Sequence, residues 1–328
     1  TGAGSIVNLD QYVSAYGWDK LIPSTIQQQN KFTTDGKGIG TGSMFATPVA
    51  RVQPIGIYYN IENLKKLGIA APTNLAEFEA ALAKAKEAGE IPMAYNSLDG
   101  LSAPMLGLQA VYGTAAAINS YVWNDPAVKA DQTGLTQAAQ KVKEWNEKGY
   151  FTPNHEGIDY QTAVANFVAG KGVFRWEYQG SLGLKEEHQT KFGYLQLPNV
   201  NTGVVGVGSA PAAMVISKNC KNPEVAAAFL DFLMSKDAAQ AAVDKGFIPL
   251  LHEDVTVPTD RPLFAMEVSE IAKIGASDGY VPYFDWASPT MLDTIQQQMQ
   301  QLYAGKVTPE ALVQAVDADR DAFLAQKQ

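Results

Sequence analysis

The sequence of 328 residues contains few of the side chains that build disulfides, metal centres or nucleophilic catalytic sites. It has one cysteine, Cys220, so no internal disulfide can form. Its three histidines, His155, His188 and His252, stand far apart, and none has a second histidine four residues away. A metal site or a histidine-based triad would have to be assembled by the fold alone, and we predict no metal and no cofactor.

Other functional signals are missing as well. There is no G-x-x-x-x-G-K followed by Ser or Thr, no G-x-G-x-x-G after a strand and no G-x-S-x-G, so phosphate cradles and nucleophile elbows are not indicated. No run of about 18 apolar residues predicts a membrane-spanning helix. The formal net charge of -9, without a cluster of Lys and Arg, disfavours nucleic acid as a partner.

The residues that are present predict an α/β protein. Apolar runs typical of short strands, at 56–60, 172–176 and 212–216, alternate with segments of helical periodicity. Helix starts carry recognisable caps, such as Asn74 with Glu77 three residues later. The Gln-rich stretch 294–306 has apolar residues at i, i+4 and i+7, which indicates an amphipathic helix.

The length of the chain allows two domains of ordinary size. Clusters of Pro and Gly at 48–56, 198–211 and 246–262 are typical of connections between domains. Three such connections predict that the chain passes repeatedly between two domains that are not consecutive in sequence.

One stretch, "GKGVFRWEYQGSLG" at 170–183, places a large ring among polar groups at the end of a strand. Arg175, Trp176, Glu177 and Gln179 follow one another closely there. A buried strand disfavours the polar groups and an ordinary exposed strand does not need the indole. The pattern therefore favours a ligand site.

A second stretch, "YFDWASP" at 283–289, repeats this composition with Tyr283, Asp285 and Trp286 ahead of a helix. Glu177 and Asp285, each beside a tryptophan, are the pair to suspect in a glycan-active enzyme such as a glycosidase or lyase. Carboxylates also accept hydrogen bonds from sugar hydroxyls without any reaction. Both an enzyme and a non-catalytic sugar-binding protein fit these residues.

Four segments in this order resemble the extracellular solute-binding proteins of bacterial ABC transporters. They are "GSMFATPVARVQPIGIYYNIENLKKLGIAAPTNLAEFEAAL" (42–82), "FVAGKGVF" (167–174), "SKNCKNPEVAAAFLDFLMSKDAAQAAVDKGFIPL" (217–250) and "LYAGKVTPEAL" (302–312). The resemblance is to the carbohydrate-binding group, family 1, that includes the maltose-binding protein. Two departures stand out: Leu75 replaces the family's tryptophan, and roughly the first 65 to 90 residues of that fold lack a counterpart before "SIVNLDQYV" (5–13).

From this departure we expect a fragment, a processed form or an incomplete chain whose first lobe exposes apolar surface. The resemblance implies a two-lobed α/β fold, the type II periplasmic-binding-protein-like fold, with a hinge between the lobes. Lobe one would comprise 1–60 plus 206–256, and lobe two would comprise 61–205 plus 257–328.

In function, the resemblance implies a non-enzymatic binding protein outside the cytoplasm, periplasmic or tethered as a lipoprotein. It would be a monomer that closes on a sugar or oligosaccharide and delivers it to the permease subunits of an ABC importer. The same fold with a non-sugar solute, such as a polyamine, iron or a phosphorylated compound, is an alternative.

The resemblance also implies roles for the candidate residues. Trp176 would stack on a sugar ring, Glu177 and Gln179 would bind hydroxyls, and Arg175 would bind a hydroxyl or balance Glu177. Trp286 would be another stacking surface, beside Tyr283 and Asp285. Further polar contacts are expected from Arg51, Gln53, Gly208, Ser209, Asn96 and Asp99.

Overall fold

The computed structural model describes residues 4–35, 38–48, 52–98, 102–208, 213–251 and 254–326. Its helices are α1 (Asp10–Tyr16), α2 (Trp18–Leu21), α3 (Ser24–Gln29), α4 (Ile61–Leu67), α5 (Leu75–Glu87), α6 (Ala103–Tyr112), α7 (Ala115–Val122), α8 (Leu135–Glu147), α9 (Tyr160–Val168), α10 (Pro223–Leu233), α11 (Lys236–Asp244), α12 (Pro262–Ala276), α13 (Met291–Tyr303) and α14 (Pro309–Ala325). Its strands are β1 (Lys31–Phe32), β2 (Ser43–Met44), β3 (Thr47–Pro48), β4 (Ile55–Asn60), β5 (Phe174–Tyr178), β6 (Phe192–Leu195), β7 (Gly206–Val207), β8 (Ala213–Met214) and β9 (Tyr280–Val281).

An antiparallel sheet with the order β5–β4–β6 lies at the centre of the molecule. The strand predicted at 56–60 is present as β4. The strand predicted at 172–176 begins two residues later, because Gly172, with a φ of 105°, still belongs to the preceding turn. The strand predicted at 212–216 is found only as the two-residue β8.

Both faces of this sheet are covered, which explains why all six residues of β4 are buried. Ile55 and Ile57 face a first hydrophobic core together with α5, α6 and α8. Tyr58, on the opposite face, belongs to a second core with Tyr194 and the inner side of α12. Successive residues of each strand therefore lie in different environments.

The second core joins the beginning of the chain to residues much later in the sequence. Val52 donates its backbone N–H to Ile248, and β3 pairs with β8 in antiparallel register. The early part of the chain contributes Leu9, Trp18, Ile26 and Met44 to this core, and the later part contributes Ile216, Leu230 and Val243. The chain path therefore returns to its first segment, whereas the predicted division into two domains stays a prediction.

Two local predictions are confirmed. Asn74 caps α5, since its side chain accepts a hydrogen bond from the backbone N–H of Glu77 at 2.9 Å. The Gln-rich stretch forms most of α13, which buries Ile295, Met299 and Leu302. None of the helices in the described ranges has the length and apolar character that crossing a membrane requires.

The expected exposed apolar surface is also present. Five large apolar side chains on β8, just after it and on α10 are exposed, namely Met214, Val215, Val225, Phe229 and Phe232. Monomeric soluble proteins seldom leave several such side chains on neighbouring elements in contact with water.

Candidate functional site

Four aromatic rings from three distant parts of the sequence form one cluster, which we call the aromatic cluster. The rings of Tyr178 and Tyr283 lie 5.7 Å apart between centroids, and those of Tyr283 and Trp286 are also 5.7 Å apart. Trp123, at the end of α7, lies 6.4 Å from Trp286. These spacings are typical of aromatic contacts.

The segment after β9 fixes the position of the cluster. It forms a 3-10 helix, Phe284–Ala287, in which Phe284 stacks on Tyr121 with ring centroids 4.7 Å apart and Ala287 is buried. These anchors turn Trp286 outward, and 44% of its surface is exposed. The indole is therefore available as a stacking surface.

Two other parts of the chain, at residues 53 and 208, meet the same segment. The N–H of Gly208 donates to the carbonyl of Val281 at 3.0 Å, and the Tyr283 hydroxyl donates to the carbonyl of Gln53 at 3.4 Å. Gly208 has a φ of 143°, and a Cβ there would lie 2.6 Å from the Gln53 carbonyl oxygen. Only glycine permits this close approach of the two backbone segments. The structure thus brings Gln53, Gly208, Tyr283 and Trp286 together.

Two polar atoms in this region are buried without a hydrogen-bond partner, the Asp285 Oδ1 and the Tyr178 hydroxyl oxygen. Burial raises the pKa of the Asp285 carboxyl. Burial also raises the pKa of Tyr178, and the nearby Tyr283 and Asp285 add to that effect. Unpaired buried polar groups are costly, and these two atoms keep unused hydrogen-bonding capacity close to the exposed indole.

The segment just before β2 contacts one side of the cluster through Gly40. Gly40, with a φ of 79°, lies so near Trp123 that a Cβ would come within 2.6 Å of its Cγ. The early part of the chain therefore contacts the same cluster as α7 and the segment after β9.

Arg175, Glu177 and Asn96 form a separate buried group on the other face of β5. The Nε and Nη2 of Arg175 donate to the Glu177 Oε2 at 3.0 and 2.8 Å, and Nη2 also donates to the Asn96 Oδ1 at 3.2 Å. The second Glu177 oxygen accepts the backbone N–H of Tyr178 at 2.9 Å. Glu177 is 2% exposed, and its two oxygens are already used inside the protein.

Trp176 belongs to the first core. It packs edge-on against Phe78, with centroids 6.2 Å apart, and against Gly107 on α6. It is 4% exposed, so the structure assigns this indole to packing between sheet and helix rather than to an open surface. Side chains alternate along the strand, so Trp176 points toward α6, whereas Arg175 and Glu177 point to the opposite face of β5.

Gln179 lines a cavity of about 520 Å³ that is separate from the aromatic cluster. Its side-chain amide donates to the Glu267 Oε2 at 3.0 Å, and the Tyr58 hydroxyl donates to the other Glu267 oxygen. Burial raises the pKa of Glu267, although these two hydrogen bonds oppose the shift. Lys245 and Arg261 also line this cavity.

Three of the predicted site residues, Arg51, Ser209 and Asp99, lie outside the described residues. Within the ranges given above, no three His, Cys, Asp or Glu side chains are grouped so that they could hold a metal ion.

Sequence reasoning missed Tyr178 and Trp123. Tyr178 directly follows Glu177, which the sequence predicts as a ligand contact. The period-two alternation of β5 places the side chains of Tyr178 and Glu177 on opposite faces of the strand. Trp123 ends a helix without any motif around it, and its part in the cluster follows only from long-range packing.

Residues 2–259 match the family model for the bacterial extracellular solute-binding protein. The chain belongs to this family. A binding protein of Brucella abortus (strain 2308) is 26% identical over 290 residues, covering 86% of this chain and 68% of the relative. A probable sugar-binding periplasmic protein of Rhizobium meliloti (strain 1021) is 24% identical over 242 residues, covering 69% of this chain and 56% of that protein.

Solved structures agree on the fold. A chitin oligosaccharide binding protein superposes with a TM-score of 0.74 at 18% identity, covering 99% of this chain and 81% of its own. RafE in complex with raffinose superposes with a TM-score of 0.67 at 18% identity, covering 98% of this chain and 81% of its own. The two-lobed α/β solute-binding fold expected from the sequence is confirmed, whereas the lobe boundaries stay a prediction.

Proposed function

We propose that the protein is the substrate-binding component of a bacterial ABC importer and that it captures a sugar or oligosaccharide between two lobes outside the cytoplasm. Relatives are named sugar-binding periplasmic proteins, and structural neighbours include a chitin oligosaccharide binding protein and a complex with raffinose. Family membership and these names support the proposal. The lobes would be 1–60 plus 206–256 and 61–205 plus 257–328.

One observation carries the proposal for the site: an exposed indole stands beside buried polar atoms that have no partner. A pyranose has apolar C–H faces and a rim of hydroxyls, so it matches a ring for stacking together with hydrogen-bonding groups next to it. Trp286 would provide the ring, and Asp285 and Tyr178 would meet hydroxyls. Gln53 and the Gly208 backbone lie beside this surface.

The same geometry favours binding over catalysis. A glycosidase needs two carboxyl groups that both reach the scissile bond, one to donate a proton and the other to act as base or nucleophile. Glu177 is held by Arg175 and by the backbone, whereas Asp285 lies in the aromatic cluster. We therefore propose that the protein does not transform its ligand and that a permease receives it unchanged.

The test is a panel of chitin oligosaccharides, xylo-oligosaccharides, raffinose and galactose, screened by thermal shift and followed by calorimetry. A ligand that binds the folded state raises the melting temperature by mass action. Trp286→Ala is expected to weaken the best ligand at least ten-fold, whereas Tyr16→Ala, an exposed aromatic on α1, should leave affinity unchanged. Release of reducing ends would contradict the binding-only function, and full affinity in Trp286→Ala would contradict the site.

A further inference from the structure

Helix α14 carries an arginine on its buried face. Leu312, Val316 and Arg320 recur at i, i+4 and i+8, and all three are fully buried. Arginine is rarely buried to this extent unless it is paired. The ion pair that Arg320 makes with Asp321 is long, at 3.7 Å, and the Asp321 side chain is 50% exposed. Water weakens such a pair, so another interaction has to account for the buried charge.

The guanidinium of Arg320 binds the end of α7 and the turn that follows it. Its Nη2 donates to the carbonyl of Val128 at 2.7 Å, and its Nη1 donates to the carbonyls of Tyr121 and Asp125 at 3.4 Å each. The planar fork of arginine is suited to several acceptors at once. The same stretch of backbone carries Trp123 of the aromatic cluster, so one rigid group holds both sides of that residue.

Arg320 is also connected to the segment that carries Trp286. The Arg320 Cζ lies 3.9 Å from the centre of the Tyr121 ring, a distance typical of a cation–π contact. The Tyr121 ring in turn stacks on Phe284, with centroids 4.7 Å apart and ring planes 6° apart. Phe284 and Trp286 belong to the same 3-10 helix. A continuous series of packed groups therefore joins the guanidinium to both exposed tryptophans.

Filling this space does not require a charge. Burying a charged group costs free energy, and an apolar side chain of similar volume is often as stabilising or more so. The Arg320 Nε is buried without a hydrogen-bond partner, which adds to that cost. The guanidinium, unlike an apolar side chain, fixes the directions of three carbonyl groups and contacts the Tyr121 ring at the same time. It therefore specifies one arrangement of the turn and the 3-10 helix.

That arrangement determines how the two indoles stand to each other. The ring centroids of Trp123 and Trp286 are 6.4 Å apart and their planes are tilted by 54°. Trp123 is also oriented from its own helix, because its Nε1 donates to the Asn119 Oδ1 at 3.2 Å. Groups that act together on one ligand have to be held within about 0.5 Å of the productive geometry.

We propose that Arg320 is a positioning residue for the aromatic cluster. It holds the turn through three carbonyl groups and the 3-10 helix through Tyr121, and it thereby sets the distance and tilt between Trp123 and Trp286. Because Arg320 is fully buried, it acts on a ligand only through these two indoles. Its effect on sugar binding rests on the proposed function, whereas its effect on the indole geometry does not.

The first measurement needs no sugar. Two indoles in contact give an exciton couplet in the far-ultraviolet circular dichroism spectrum, and Trp123→Phe and Trp286→Phe, singly and combined, isolate the couplet of this pair. In Arg320→Met, which has an apolar side chain, the couplet is expected to fall by at least half. Arg320→Lys keeps the charge but not the planar fork, so its couplet should lie between those of Arg320→Met and the unmodified chain.

The second measurement is calorimetric titration with chitin oligosaccharides and with raffinose. Arg320→Met is expected to weaken binding of whichever of these the unmodified chain binds by about ten-fold or more, and Arg320→Lys by less. Phe167→Leu is the control for a general loss of stability, because Phe167 is fully buried in the second core. It should lower the melting temperature and leave the couplet and the affinity unchanged.

The outcomes separate this proposal from the proposed function. An undiminished couplet in Arg320→Met, an equal loss in Phe167→Leu, or full affinity beside a reduced couplet would overturn the positioning role. If Arg320→Met does not fold, an unchanged couplet in Arg320→Lys would overturn it instead. A chain that binds neither sugar but loses the couplet in Arg320→Met would contradict the function proposed for these sugars and support the role of Arg320 in the indole geometry.

Discussion

Gly107 and the indole of Trp176 are in direct contact across the interface between α6 and β5. A Cβ on Gly107 would lie 2.0 Å from the Trp176 Cζ3 and 2.3 Å from its Cε3. Trp176 is therefore accommodated only because the facing helical residue has no side chain. This contact holds a helix close to the strand that ends at the aromatic cluster.

Gly107→Ala is expected to destabilise the protein by about 1–3 kcal/mol, since a methyl group has no room in this closely packed contact. Urea unfolding monitored by circular dichroism measures the change. Gly157→Ala is the matched control, because a Cβ at Gly157 meets nothing within 4 Å. Equal stability of Gly107→Ala and the unmodified chain would show that the helix and the indole can move apart without cost.

Strand β5 shows how far the sequence alone could lead. The apolar run at 172–176 located the strand to within two residues. The sequence grouped Arg175, Trp176 and Glu177 into one site, whereas the alternation of side chains along β5 separates the indole from the two charged groups. Local rules thus predicted the element, whereas the role of each side chain depended on which face it occupies.

The packing contacts that the sequence did not predict join residues far apart in the chain. Nothing near Gly107 in the sequence indicates that it faces Trp176, sixty-nine positions later. The region after β9 was different, because Tyr283, Asp285 and Trp286 are consecutive or nearly so and precede a helix that the sequence marks clearly. A group of neighbouring residues can be recognised in a sequence, but contacts between residues far apart in the chain cannot.

Glu177→Gln is expected to lower the free energy of unfolding by about 3–5 kcal/mol, because it leaves the buried Arg175 guanidinium without its counter-charge. Both side chains are almost fully buried, at 4% and 2% exposure. Chemical denaturation provides the measurement, with ligand affinity measured in parallel.

A surface pair offers the control for this substitution. Lys129 and Asp321 lie 2.8 Å apart with side chains that are 46% and 50% exposed, so Lys129→Met should cost no more than about 1 kcal/mol. If Glu177→Gln kept full stability but lost sugar binding, Glu177 would be a ligand residue rather than half of a structural ion pair.

Glu267→Gln is expected to change how stability depends on pH. Burial raises the pKa of the Glu267 carboxyl above its ordinary value of 4.5. As the pH rises above 4.5, the Glu267 carboxyl therefore ionises first in the unfolded chain. The stability that the protonated carboxyl contributes to the folded chain is lost progressively until the pH reaches its folded-state pKa. Glutamine does not titrate, so the stability of the variant relative to the unmodified chain should increase with rising pH. Urea unfolding from pH 4 to pH 7 measures this difference.

Glu310→Gln supplies a control of opposite sign. Hydrogen bonds from its own backbone N–H, Gln140 and Thr308 lower the pKa of Glu310. The ionised Glu310 carboxylate contributes folding stability above its ordinary pKa, and this contribution is lost as the pH falls. The stability of the variant relative to the unmodified chain should therefore decrease as the pH rises. The same slope for both variants would contradict the assignment of Glu267 to a buried site.

Quenching of tryptophan fluorescence tests whether the aromatic cluster is where ligand binds. Of the five tryptophans, Trp18 and Trp145 are fully buried, Trp176 is 4% exposed, Trp123 is half-buried and Trp286 is 44% exposed. Acrylamide should therefore quench Trp286 most strongly and Trp123 less, and Trp286→Phe should lower the quenching slope. A saturating sugar that stacks on this indole should protect it to a similar extent, since stacking covers the ring. Quenching that stays unchanged when calorimetry shows bound sugar would place the ligand away from Trp286.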